Sequence, residues 1–413
     1  MNGDKRREAK DKDTAQGDYP AIFRLYIMRS ITDVLRALDT STYRMNEAIR
    51  ERSLHLLSFG LGLAESWLVT QELMALLASR MESAGYRHEW IAVLERGIEV
   101  AKTYHDQPVL ARLHLRLGRL YDLMNMRAEA KRHLEISYQI SSAQGDSELI
   151  ATSLQRLAFV SLLETNLPQA KRLSNEALEL LDEEAPQRAD SHLVLGWVAL
   201  RNNETQIAED HFGTAFRLRW REGKAIYIAQ TLREIGSGHI FVQQWRQAIA
   251  HLDQAVNLFD QEGDALQAAI CKMHRGVAYS AIGKHEKSLE DYNGVLQVFQ
   301  SVSDVAGLID LYNNRGNVLA EMMRYDDARN SLCTSIGIAA DARNYWQVAN
   351  GFESLASLYL RTGDFNAAIS ALDEAERALD LLPTRPQQLA TLIETRRQET
   401  LMLIAQKEGT TAG

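Results

Sequence analysis

The sequence contains only six prolines and two cysteines in 413 residues, and no stretch of about 18 apolar side chains. Scarce proline, with abundant Ala and Leu, leaves little to interrupt helices. Without an apolar stretch of that length, no membrane span is expected. The cysteines, Cys271 and Cys333, form no CxxC pair and have no histidine cluster at metal-ligand spacing. A reducing compartment fits them, and both read as small core residues. There is no excess of positive charge: 46 Lys and Arg face 55 Asp and Glu, a net −9 with a pI near 5.7. Non-specific nucleic-acid binding has no electrostatic support at the level of the whole chain, although a local basic groove stays open.

Catalytic motifs are missing too. No G-x-x-x-x-G-K-[ST] segment occurs, and Gly60 and Gly62 in FGLGLAESW follow no strand. His285–Glu286 lacks the second histidine of a helix zinc site. The carboxylate pairs Glu183–Glu184 and Asp326–Asp327 fall at turns, where solvated charge is the default. No Ser, His and Asp constellation can be argued from sequence order alone. Neither catalysis, a cofactor nor a metal is expected.

At this length one ordinary core does not suffice, so the chain is several domains or a repeat array. Self-comparison decides for repeats. Ala78, Gly118, Ala158, Gly196, Gly236, Gly276, Gly316 and Ala356 follow one another at spacings of 40 residues, with a single 38. Twelve residues after each comes Trp90, Ala130, Ala170, Ala208, Ala248, Ser288, Ala328 or Ala368. Between these and a further small position sits a larger side chain: Leu94, Leu134, Ser174, Phe212, Leu252, Tyr292, Leu332, Leu372. Each unit thus holds two amphipathic stretches that approach closely at the small residue, with the larger residue filling the adjoining gap. Asn125, Asn166, Asn202–Asn203, Gly283 and Gly363 break the two stretches apart. Gly145, Gly223 and Gly263 end units in a left-handed conformation, and Asp146 and Asp264 can cap the next helix. The 38-residue unit is shortened within DEEAPQ, at this same loop, which leaves the helices untouched.

The small–aromatic spacing of Gly118/Tyr121 and Gly276/Tyr279, followed by Ala130 and Ser288, resembles the tetratricopeptide repeat family. The 40-residue period is similar to the longer-helix variety of kinesin light chains, cell-polarity adaptors and bacterial MalT-type or peptide-sensing regulators. The resemblance covers residues 71–388 and implies an all-α fold, a right-handed superhelical solenoid of antiparallel helix pairs. Around it, residues 1–18 read as a disordered polar tail rather than a secretory signal. Residues 19–70 read as N-terminal helices or a degenerate repeat, 389–407 as a capping helix and 408–413 as a tail.

In the family, the first helix of each pair lines a concave face that holds a peptide or a partner helix. Transferred to this sequence, three groups fall there. Asn313, Asn314 and Asn317 put three amides in five residues of YNNRGNVLAEM, where a helix interior does not favour Asn. They pair with a peptide backbone, or they simply face water. Arg112, Arg116 and Arg119, with Gln155 and Arg156 one unit on and Arg233 two units later, would attract an acidic segment. The alternative for them is a set of ion pairs with Asp122 or second-helix glutamates. Trp197, among Phe159, Leu162, Leu193, Ile240 and Phe241, is either a binding anchor or inter-repeat core.

The expected function is a cytoplasmic scaffold or adaptor that captures a protein or peptide, and neither nucleic acid nor membrane. A regulatory sensor that binds a signal and controls an effector in trans is the alternative, and a purely structural subunit the third reading. The residues leave the oligomeric state open.

Overall fold

The computed structural model describes residues 19–39, 47–83 and 86–411, and the expected tail over residues 1–18 lies outside them. The described residues form α-helices and one short 3-10 turn, without strands. Helices α1 (Tyr19–Asp39) and α2 (Glu47–Gly60) come first. Eight pairs follow: α3 (Trp67–Ser83) and α4 (Arg87–Thr103), α5 (Gln107–Leu123) and α6 (Arg127–Gln144), α7 (Ser147–Leu163) and α8 (Leu167–Glu179), α9 (Arg188–Arg201) and α10 (Thr205–Glu222), α11 (Ala225–Phe241) and α12 (Trp245–Glu262), α13 (Ala265–Ala281) and α14 (His285–Ser301), α15 (Val305–Glu321) and α16 (Tyr325–Asp341), α17 (Tyr345–Thr362) and α18 (Phe365–Asp380). Helix α19 (Gln387–Thr411) ends the array and takes in residues expected as tail. The chain divides into two compact units, residues 1–224 with 262–264, and residues 225–261 with 265–413.

Side-chain caps start many of the helices. Asp106 and Asp146 accept the backbone N–H groups of Val109 and Leu149 at 3.2 and 3.0 Å, and Asp304 accepts that of Gly307 at 3.3 Å. Gly145 and Gly223 close α6 and α10 with φ of 70° and 75°, as the sequence predicts. Other turns place ordinary side chains in the same left-handed region. Met323 is one, with φ of 58° and 74% exposure. Met323→Gly removes that strain without removing buried contacts. It is expected to raise stability by up to about 1 kcal/mol, read as a higher urea midpoint at unchanged m-value.

The small residues do what their spacing predicts. A Cβ added to Gly118 would stand 2.6 Å from Cγ of Leu134, and one on Gly196 2.5 Å from the Phe212 ring. In the second unit Gly236, Gly276 and Gly316 meet Leu252, Tyr292 and Leu332 at 2.7, 2.5 and 2.7 Å. Each large second-helix residue therefore occupies the volume its glycine vacates. Where α7 has the larger Ala158, the matching second-helix residue is the smaller Ser174, and both are fully buried.

Two expectations need correction. The two-residue deletion does reach the helices: α8 and α9 have 13 and 14 residues, whereas most neighbouring helices have 17 or 18. Pro186 cannot extend a helix through this crossing. Instead the Arg188 guanidinium donates to the carbonyls of Leu178 and Leu181 at 2.7 and 2.9 Å, replacing lost backbone partners. Of the cysteines, only Cys271 is core; Cys333 lies exposed on α16, and both are free thiols.

Candidate functional site

Within each unit the first helices of successive pairs touch one another directly: α3 with α5, α5 with α7 and α7 with α9, then α11 with α13, α13 with α15 and α15 with α17. They form the crowded side of each stack. Their positions six and two residues before the small residue, and one after it, line its inner face.

In the first unit this face is charged and partly apolar. Between α3 and α5 lies a trough of about 330 Å³, floored by Met74, Ala75, Val109 and Leu113, with Leu68 at its edge, and rimmed by Gln71, Glu72, Arg112 and Arg116. Arg112 is exposed and Arg116 half-buried. The next two arginines follow the ion-pair alternative. Arg119 pairs at 3.1 Å with Glu82, a carboxylate only 5% exposed. Arg156 stands 3.9 Å from Asp190, which also holds Arg219 at 3.0 Å. Burial, with Arg119 beside it, lowers the pKa of Arg156. Burial raises that of Asp122 against the pull of Arg156, Arg127 and Arg119. Gln155 is buried, and its amide donates to the Gln187 carbonyl at 2.8 Å and the Ser191 hydroxyl at 3.0 Å. Its hydrogen bonds join two pairs instead of facing the groove. Trp197 is half-buried and meets the Phe212 ring edge-on at 6.3 Å, so part of it is core.

The second unit offers a polar face. The Arg233 guanidinium donates to Glu234 at 2.6 Å and also to Gln267, so it too ties one pair to the next. Ser237 Oγ and His274 Nδ1 lie 2.9 Å apart, and burial, then Arg233, lowers the His274 pKa to about 4. On α15, Asp310 accepts from Gln347 Nε2 of α17 at 2.6 Å. Burial lifts Asp310 to about 6, with the Gln347 hydrogen bond opposing and Asp304 adding to the rise. The three asparagines sit beside it at graded depth: Asn313 is buried, Asn314 half-buried and Asn317 exposed. The Oδ1 atom of Asn313 has no hydrogen-bond partner. A buried carbonyl oxygen left unpaired is costly and waits for a donor.

Glu72, Ser237, His274 and Asp310 belong to this surface and were not singled out from the sequence. Their distance from the small residue of their own unit is the signal that marks them. Among the described residues no group of three or more His, Cys, Asp or Glu side chains is placed to hold a metal ion. Nor is any described helix long and apolar enough to cross a membrane.

The family model for the tetratricopeptide repeat matches residues 350–378, which span parts of α17 and α18. No curated protein matches the chain in sequence. Solved structures resemble it throughout. A Rap protein complexed with competence and sporulation factor is 16% identical at a TM-score of 0.55, over 86% of this chain and 94% of that one. A signal transduction ATPase with a tetratricopeptide repeat sensor, from Pyrococcus horikoshii, is 13% identical at 0.56, over 86% of this chain and 55% of that one. The apo form of the quorum sensor NprR from B. thuringiensis is 13% identical at 0.50, over 74% and 82%. With helix pairs, glycine contacts and period in agreement, the chain is an all-α array of tetratricopeptide-type repeats.

Proposed function

We propose that this protein binds a peptide or protein segment along the inner face of its first helices, as a scaffold or adaptor and not as a catalyst. The observation that carries the reading is the run of three amides on α15, graded from the buried Asn313 through the half-buried Asn314 to the exposed Asn317. The amides of Asn314 and Asn317 can both donate to and accept from the backbone of an extended peptide. Arg112 and Arg116 in the first unit favour a partner with an acidic segment. Three similar folds support the same idea: one is solved with a factor bound, and two are named as sensors. The two named as sensors also support the second reading, a sensor that binds a signal; an effector in trans is the further part of that reading. A sensor changes its compaction on binding, visible in small-angle scattering, whereas a passive scaffold keeps its profile.

The asparagines give the direct test. Asn313→Ala removes an unsatisfied buried oxygen, so the free protein is expected to gain up to about 1 kcal/mol in urea unfolding. The triple variant Asn313→Ala, Asn314→Ala, Asn317→Ala is expected to lose the partners that the parent captures, as read by affinity capture and mass spectrometry. Capture that persists unchanged removes the asparagines from the binding surface.

A further inference from the structure

The eight repeats differ at the position three residues before the small residue, which is buried or half-buried in most of them. Seven of them carry a sizeable side chain there: Leu115, Gln155, Leu193, Arg233, Met273, Asn313 and Glu353. Several of these bridge to the following pair, as Gln155 does to Ser191, Arg233 to Gln267 and Glu353 to Arg396. The α3 repeat carries Ala75 instead, and Ala75 lines the trough between α3 and α5. The smallest side chain of the series thus stands at the trough.

The walls of this space are asymmetric. The buried apolar groups of Met74, Val109 and Leu113 form the floor, and Leu68 stands at its edge. Leu68 is 77% exposed, far more than a large aliphatic side chain that packs against its own fold. Along the α5 rim stand Arg112 and Arg116; along the α3 rim stands Glu72. A ligand side chain entering the floor is apolar, and an anionic group beside it is drawn to the α5 rim and repelled from the α3 rim.

We infer that the α3–α5 trough is a specificity subsite for a peptide with a Leu- to Phe-sized side chain next to an Asp or Glu, the carboxylate directed at Arg112 and Arg116. This rests on the inner face being the binding surface. A cavity of about 330 Å³ holds one such side chain with its flanking backbone. A bulky apolar anchor in a preformed pocket, oriented by a charge at its rim, is the arrangement that concentrates binding energy in few residues.

The test uses a phage-displayed library of random short peptides, selected against the full chain and against Ala75→Met. Methionine is what α13 bears at the matching position, Met273, so the variant is expected to fold with a thermal midpoint no lower than the parent's. Peptides selected by the parent are expected to share an apolar residue flanked by Asp or Glu. A synthetic peptide of that consensus is expected to bind Ala75→Met at least about tenfold more weakly, with a similar loss for Arg112→Glu or for Glu→Gln in the peptide. If selected peptides bind parent and Ala75→Met alike, the subsite is wrong while inner-face binding stands. If selected peptides are basic, the assignment of the rim is overturned. If no peptide is enriched by the parent, both this inference and the reading beneath it fall.

Discussion

Replacing Gly276 with leucine is expected to unfold the second unit at ordinary temperatures. The added Cβ alone would lie 2.5 Å from Cε1 of Tyr292 and 2.9 Å from its Cζ. Tyr292 is 1% exposed, and its ring packs among Met273, Val295, Phe299 and Leu311, so it has nowhere to turn. Overpacking by one or two methylenes costs about 1–3 kcal/mol, and a leucine driven into a buried ring exceeds that. Against a typical total of about 5–15 kcal/mol, the loss removes most of the margin. Truncating the ring reopens the space, so Gly276→Leu with Tyr292→Ala is expected to recover a cooperative transition. A double-mutant cycle, run where each protein is still folded, is expected to show a coupling of at least about 2 kcal/mol. Gly213 on α10 is the control: a Cβ there meets nothing within 4 Å, so Gly213→Ala gains helix propensity and is expected to stabilise. Near-additive effects at Gly276 and Tyr292 would show that the small–large contact is not what fixes the pair.

Mild acid is expected to destabilise the protein through its paired histidines. His114 on α5 and His133 on α6 are 7% and 6% exposed, with their Nδ1 atoms 2.9 Å apart. His192 and His211 occupy the same places in the α9–α10 pair, at 3.1 Å. Such a contact requires one nitrogen to donate and the other to accept, so the neutral rings fit and two protonated rings do not. Burial is the largest cause holding His114 and His133 down to about 4. The partner ring, Lys102 and Arg132 push His114 further, while Glu129 on α6 pulls His133 the other way. Around the second pair, burial again leads, with Arg188, Arg217 and Lys171 adding and Asp210 opposing. A histidine near 6.5 when unfolded and near 4 when folded takes up more protons in the unfolded chain between those values. Stability is therefore full above about pH 6.5 and is lost as pH falls toward 4. The loss is on the order of a few kcal/mol for the His114–His133 pair. In the second unit, His274, lowered to about 4, adds to the trend, while Asp310, raised to about 6, opposes it. Urea midpoints between pH 7 and pH 4.5 measure this slope. His114→Leu with His133→Leu is expected to flatten it; a slope unchanged in that variant assigns the acid sensitivity elsewhere.

What could be read from the sequence is what the repeat states many times over. The glycine series is legible because each close contact, such as Gly196 against Phe212, recurs forty residues on. Arg112 and Arg116 were placed on the inner face by the same spacing, and they rim the trough. The spacing does not say how far a long side chain reaches. Gln155 and Arg233 lie on the right helices, yet their ends hydrogen-bond to the following pair, because successive first helices stand within a side chain's length of each other. Arg119 and Arg156 found Glu82 and Asp190 for the same reason. Partners supplied by the neighbouring pair follow from stacking geometry, which a single repeat does not encode. Ala75 gives no signal in the sequence, since a small side chain in a series of varied ones carries no motif of its own.

The crossing at Arg188 shows where such an array tolerates change in length. Two residues are missing, two helices are shorter, and one guanidinium spans the gap, yet Gly196 still meets Phe212 in the pair that follows. Gene duplication and slippage can therefore alter the joints between modules while the joints within them stay frozen. A length change at such a crossing is expected to be tolerated, whereas one inside a helix pair displaces the small residue from the large one that fills its gap.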